Sequence, residues 1–131
     1  MYLHKELETL TRPEIEKLQL ERLKKTVHHC MNSPFYKKRF EENGLTPEDI
    51  QSLDDLRKIP FTTKQDLRDT YPFGIASVSL DKAVRLHSSS GTTGNPTVII
   101  HTQKDLDEWA NAVARCLHMV GLRPSDVFQN S

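Results

Sequence analysis

Two short runs, Ala83-Val84-Arg85-Leu86-His87 and Thr97-Val98-Ile99-Ile100-His101, most constrain what this chain can fold into. Branching at Cβ stiffens χ1 and suits a pleated surface, so both runs read as strands and the second as a buried one. Only Ser88-Ser89-Ser90-Gly91-Thr92-Thr93-Gly94-Asn95-Pro96 lies between them. A tight strand–loop–strand is an ordered unit, which argues against a flexible serine/glycine linker.

The loop has the composition of an anion cradle. Glycine lets backbone approach a ligand closely and adopt positive φ. Successive free N–H groups in such a turn form an anion-binding concavity. Serine and threonine hydroxyls add donors that rotate to meet phosphate oxygens. Two familiar phosphate loops are excluded. A P-loop needs Lys and then Ser or Thr after its second glycine, whereas Gly94 is followed by Asn95-Pro96. The dinucleotide pattern G-x-G-x-x-G is absent, and this loop leads into a strand instead of opening a helix.

After Thr102, with Asp105 three residues on, Leu106, Trp109, Ala110, Val113, Leu117 and Val120 form one helical stripe, and Gly121 is its stop. Arg123-Pro124-Ser125 turns the chain, and Asp126-Val127-Phe128-Gln129 reads as another strand. Strand, long helix and strand predict a β-α-β unit and hence an α/β sheet.

The chain before residue 75 is different: charged, broken by prolines and without internal repeats. Thr11-Arg12-Pro13-Glu14 is a helix start, with Thr11 as cap, Pro13 in the first turn and Glu14 placed for a capping box. Ile15, Leu18, Leu23, Val27 and Cys30 follow at roughly helical spacing, until Asn32-Ser33-Pro34. Phe35, Tyr36 and Phe40 predict a second short helix stopped by Gly44. Thr46-Pro47-Glu48-Asp49 and Thr63-Lys64-Gln65-Asp66 repeat the start and predict two more, with breaks at Pro60 and Pro72.

Composition excludes several classes. Lys plus Arg and Asp plus Glu are 18 each, which argues against nucleic-acid or membrane-surface binding through bulk charge. No stretch approaches the ~18 apolar residues of a membrane span. Met1-Tyr2-Leu3-His4-Lys5-Glu6 lacks the apolar core of a secretory signal. Two distant cysteines, Cys30 and Cys116, make no disulfide framework, so a reducing cytoplasm is expected. The apolar share of 36% is thin for a self-contained domain, where about 45–50% counting Gly is usual.

Ser89-Ser90-Gly91-Thr92-Thr93-Gly94 followed by Pro96-Thr97 resembles the phosphate-binding motif of the acyl-adenylate-forming enzymes. Leu18-Gln19-Leu20-Glu21-Arg22-Leu23, Pro34-Phe35-Tyr36, Ile59-Pro60-Phe61-Thr62-Thr63-Lys64, Tyr71-Pro72-Phe73-Gly74 and Asp126-Val127-Phe128-Gln129-Asn130-Ser131 are similar to the phenylacetate–coenzyme A ligase family. The resemblance runs from about residue 10 to residue 131. It implies an N-terminal helical segment, 1–80, followed by the start of a large α/β adenylation domain, 81–131, incomplete at the last residue.

What the resemblance implies chemically is a two-step ligase that takes an aryl acid, ATP and coenzyme A, with Mg²⁺ accompanying ATP. Ser89, Ser90, Gly91, Thr92, Thr93 and Gly94 are then the candidate contacts to the β- and γ-phosphates. Ser90, Thr92 and Thr93 act through hydroxyls, and Gly91 and Gly94 through backbone. Many members of the superfamily carry Lys after the loop's proline. Thr97 stands there, so no loop lysine neutralises phosphate charge, and nothing in the sequence brings Lys104 to the site. Phenylacetate is the expected substrate, with indoleacetate or an aminobenzoate as alternatives. A non-catalytic fragment and a stand-alone phosphate- or nucleotide-binding module are the competing classes. The family's later segments, including its mobile C-terminal lysine, are absent, so the 131 residues alone are expected to be inactive. The full enzyme is expected to be a cytoplasmic homodimer.

The remaining candidates have plainer accounts. Adjacent helical residues point about 100° apart, so His28, His29 and Cys30 do not converge on one metal ion. Cys30 and Cys116 read as buried small apolar residues. His87 and His101 read as structural strand-end residues, with a nucleotide or substrate contact as the alternative. Trp109 reads as core packing on the apolar stripe.

Overall fold

A computed structural model describes residues 2–90, 95–127 and 129. Helices α1 (Lys5–Glu8), α2 (Arg12–Cys30), α3 (Pro34–Glu42) and α4 (Lys64–Asp69) precede strands β1 (Arg85–Ser88) and β2 (Val98–His101), and α5 (Gln103–Met119) follows. Short 3₁₀ turns at Pro47–Asp49, Leu53–Lys58 and Leu80–Lys82 link them.

The helix starts arise from one local device. The Glu14 carboxylate accepts from the Thr11 backbone N–H at 2.7 Å and from its hydroxyl at 2.6 Å. Asp49 does the same for Thr46, Asp66 for Thr63 and Asp105 for Thr102. Each carboxylate relieves a donor that the first turn leaves unpaired. The start at Thr46 yields a single 3₁₀ turn where a short helix was expected. A further start, Ser52 with Asp55, escaped the sequence reading. Gly44 and Gly121 sit at φ 61° and 103°, beyond the ends of α3 and α5. Left-handed backbone costs an ordinary side chain free energy, which explains glycine as the stop.

The core is small. Val27 of α2, Phe40 of α3 and Ile50 are buried together, with Leu23, Met31, Leu45 and Ile59 packed around them. A buried-edge ion pair ties α3 to α4. Arg39 donates to both Asp66 carboxylate oxygens, at 2.7 and 3.2 Å, and to the Phe61 carbonyl at 2.6 Å. Its guanidinium lies over the Phe35 ring, 4.5 Å from the centroid.

β1 and β2 pair antiparallel, with Arg85 opposite His101 and Ser88 opposite Val98. Side chains alternate across a strand, so Arg85, His87, Ile99 and His101 share one face and Leu86, Ser88, Val98 and Ile100 the other. Val98 is buried.

Three expectations change. Among the described residues the sheet has two strands, and Asp126, Val127 and Gln129 form none; Phe128 lies outside the described residues. The predicted β-α-β unit therefore lacks its second strand there. The Arg123–Asp126 segment closes as a turn instead, the Asp126 N–H donating to the Arg123 carbonyl at 2.9 Å and its carboxylate accepting from the Arg123 N–H at 2.7 Å. A strand needs a neighbour to satisfy its backbone, and Val127 is 99% exposed. Trp109 is not core: it remains 47% exposed, and no residue of α5 is buried. Cys116 on the same helix is exposed, whereas Cys30 is half-buried, and burial pushes its thiol pKa up. α5 touches β2 on one side and the N-terminal segment on another. There Arg115 donates to Glu8 at 3.2 Å, and Asn111 bonds the His4 ring at 3.0 Å.

Candidate functional site

The hairpin presents the Ser/Thr/Gly loop from a firmly tied base. The Ser89 N–H donates to the Thr97 carbonyl at 3.0 Å, and the Ser89 hydroxyl accepts from the Thr97 N–H at 3.0 Å. The Ser89 hydroxyl oxygen thus helps close the hairpin as an acceptor, which leaves its O–H to donate. The Ser88 hydroxyl turns to the Ser89 carbonyl at 3.1 Å. Ser90 is exposed. Gly91, Thr92, Thr93 and Gly94 lie outside the described residues. No Lys or Arg stands between Ser88 and Thr97, so any anion held there meets neutral donors first.

The histidines flanking the loop meet in space. His87 and His101 pack edge to face, with centroids 4.9 Å apart and planes at 64°. The Trp109 indole completes the group. It lies 5.4 Å from His87 at 72° and 5.7 Å from His101 at 27°. All three separations fall in the range favoured by aromatic pairs. Sequence reasoning treated these residues separately. The alternation of the two strands, with Trp109 about two turns into the helix after β2, is the signal that joins them.

Asp105 opens α5 beside this group. The Thr102 backbone N–H, then its hydroxyl, hold the Asp105 carboxyl below the usual carboxylate range, and His101 and His29 act in the same direction. A cleft of about 340 Å³ runs along β2, lined by His29, Tyr36, Phe73, Val98, Ile100 and Asp105 among others. Of the predicted phosphate-contacting residues, the two described ones, Ser89 and Ser90, do not line it. Among the described residues no three His, Cys, Asp or Glu side chains are arranged to hold a metal ion. Among the described residues no helix is long and apolar enough to cross a membrane.

No protein-family model matches the chain. Individual proteins do. The chain is 50% identical over 121 residues to the phenylacetate–coenzyme A ligase of Escherichia coli K12, covering 92% of this chain and 28% of that protein. It is 46% identical over 127 residues to the phenylacetate–coenzyme A ligase of Thermus thermophilus, again 28% of that protein. The chain is similar to an N-terminal portion of these phenylacetate–coenzyme A ligases. It spans little more than a quarter of the length of these relatives. The fold agrees. A 2-hydroxyisobutyryl-CoA ligase in complex with 2-HIB-AMP and CoA superimposes with a TM-score of 0.83 at 34% identity, over 90% of this chain and 26% of that one. An open conformation of the same ligase gives 0.81 at 31% identity. The mixed helical arrangement with its two-stranded sheet is thus similar to part of a CoA-ligase adenylation domain.

Proposed function

We propose that this chain is the N-terminal part of an ATP-dependent phenylacetate–coenzyme A ligase. Residues 1–80 are its helical segment, and 81–131 begin its α/β core. The observation that carries the reading is the 46–50% identity to phenylacetate–coenzyme A ligases across more than nine-tenths of the chain. The superposition on a ligase holding an acyl-AMP and CoA supports the same chemistry.

In the first step the substrate carboxylate attacks the α-phosphorus of ATP. The bond to the bridging oxygen breaks, giving phenylacetyl-AMP and pyrophosphate. In the second, the CoA thiol gives up its proton and attacks the acyl carbonyl, expelling AMP and leaving the thioester. Negative charge gathers on the departing pyrophosphate. Donors already aimed at that charge stabilise it without reorganising at the moment of reaction. Ser90, Thr92 and Thr93 supply hydroxyls for this role, and Gly91 and Gly94 supply backbone N–H groups. Ser89 contributes by closing the loop base on Thr97. Mg²⁺ accompanying ATP would supply further neutralisation of phosphate charge beside these donors. The working enzyme is a homodimer of the cytoplasm.

The isolated 131 residues, which match only 28% of the relatives' length, are expected not to catalyse the reaction. Phenylacetate-dependent exchange of labelled pyrophosphate into ATP tests both statements. The full-length ligase is expected to exchange and the isolated chain to show none. Exchange that the full-length protein supports with other aryl acids but not with phenylacetate would overturn the substrate assignment.

A further inference from the structure

We infer that the outward side of α5, with the hairpin face it adjoins, is the surface on which the later part of the ligase polypeptide packs. The inference rests on the proposed ligase reading and adds to it the place where this portion meets the rest.

α5 is turned the wrong way for a helix that completes its own domain. At 3.6 residues per turn, Trp109, Val113, Cys116 and Val120 fall within about 60° of one another, in a strip about 16 Å long. Asn111 and Arg115 lie round the other side. A surface helix aims its apolar side at the core and its polar side at water. Here the chain holds the polar side, where Asn111 bonds His4 and Arg115 bonds Glu8. The apolar strip is left facing outward: Val113 is 44% and Val120 79% exposed, Cys116 is exposed, and no residue of α5 is buried. The strip continues onto the sheet. Ile99, also exposed, shares the hairpin face of His87 and His101, on whose rings Trp109 rests. Among the described residues each strand has a single neighbour, so backbone edges stand open beside the strip as well.

The length of the relatives points to the occupant. The matched part is 28% of the Escherichia coli ligase, and the superposed part is 26% of the 2-hydroxyisobutyryl-CoA ligase chain, at a TM-score of 0.83. In a whole ligase a portion folded this way sits against the remaining polypeptide, roughly three-quarters of the total. The strip carries no charged side chain, and a continuous apolar surface of this kind gains most from permanent burial.

The test compares the isolated 131-residue chain with the full-length ligase. Cys116 labelling by a small thiol reagent, followed by mass spectrometry of its peptide, is expected to be fast in the chain and roughly tenfold slower or more in the ligase. Val113→Asp should shift the melting temperature of the chain by no more than about 2 °C and lower that of the ligase by about 5 °C or more, because the carboxylate is buried only there. Val113→Ser carries this arm if the aspartate ligase does not fold. If the isolated chain does not fold, the Cys116 rate in the native ligase is set against the rate in urea. Sedimentation of the isolated chain is expected to show a monomer. A dimer that Val113→Asp dissociates would assign the strip to a second copy and overturn the inference. Equal Cys116 labelling in the two proteins, or a Val113→Asp shift no larger in the ligase than in the chain, would overturn it too. A full-length protein that protects Cys116 yet shows no phenylacetate-dependent pyrophosphate exchange would overturn the ligase reading and leave the docking surface standing.

Discussion

Arg39 and Asp66 lie 27 residues apart and meet as a bidentate pair, at 2.7 and 3.2 Å, while Asp66 also caps α4 through Thr63. One carboxylate thus fixes a helix start and ties two helices together. Arg39, then the Thr63 N–H, hold its pKa down at about 2. A carboxylate depressed in the folded state stabilises that state above its unfolded pKa of about 3.9. The contribution disappears as pH falls through about 2. Melting temperature should therefore drop between about pH 4 and pH 2 in the native chain. Asp66→Asn should start lower and lose this part of the acid dependence. An unchanged acid profile in the variant, followed by circular dichroism, would show that other carboxylates govern it.

Ile50 is completely buried between α2 and α3, in a small cluster with Val27 and Phe40. Ile50→Ala should cost about 2–4 kcal/mol, read from urea denaturation, because so small a core has few atoms to refill the void. A loss below about 1 kcal/mol would mean that the core collapses around the deletion.

Gly74 and Gly44 should respond differently to alanine. A Cβ on Gly74 would lie 2.8 Å from the Thr70 carbonyl oxygen and 2.9 Å from the Thr70 Cβ. The Gly74 N–H bonds that same carbonyl at 2.8 Å, so the backbone has no room to yield. A Cβ on Gly44 meets nothing within 4 Å, but φ is 61°. Gly44→Ala should cost about 1 kcal/mol from its left-handed backbone alone. Gly74→Ala should cost more, about 1–3 kcal/mol, by overpacking. Equal losses in the two denaturation curves would refute the contrast.

The cysteines should separate by reactivity. Cys116 is exposed on α5, and Cys30 is half-buried with its thiol pKa raised by burial. The thiolate is the reacting form, so burial slows Cys30 twice, through access and through ionisation. A thiol reagent should label one equivalent quickly and a second slowly, and Cys116→Ser should remove the fast phase. Two equal rates in the native chain would contradict this arrangement.

What the sequence disclosed follows the range of the interactions. The boxes at Thr11, Thr46, Thr63 and Thr102 lie within three residues of their acids and were readable. Ser52 with Asp55 obeys the same rule and was missed. The hairpin was readable from β-branching. The Arg39–Asp66 pair was not, because nothing local couples residues 27 apart. Nor was the meeting of His87, His101 and Trp109, which needs the strand register. The stripe on α5 predicted a buried Trp109 because periodicity gives the direction of an apolar face without showing that anything covers it.

The loop itself supplies the sharpest test of the proposed chemistry. Thr92 and Thr93 are followed by Gly94-Asn95-Pro96-Thr97, a run with no basic side chain to compensate for a lost donor. Valine keeps the shape and β-branching of threonine but removes its hydroxyl, so folding should be nearly unaffected. In the full-length ligase, Thr92→Val with Thr93→Val should slow single-turnover adenylation. Loss of one donor from such a site typically costs about 10²–10³ in rate. The thioester step, started from preformed phenylacetyl-AMP, should change little, because pyrophosphate has already left. A variant slowed equally in both steps would locate these hydroxyls away from the departing phosphates, and one slowed in neither would remove them from the site.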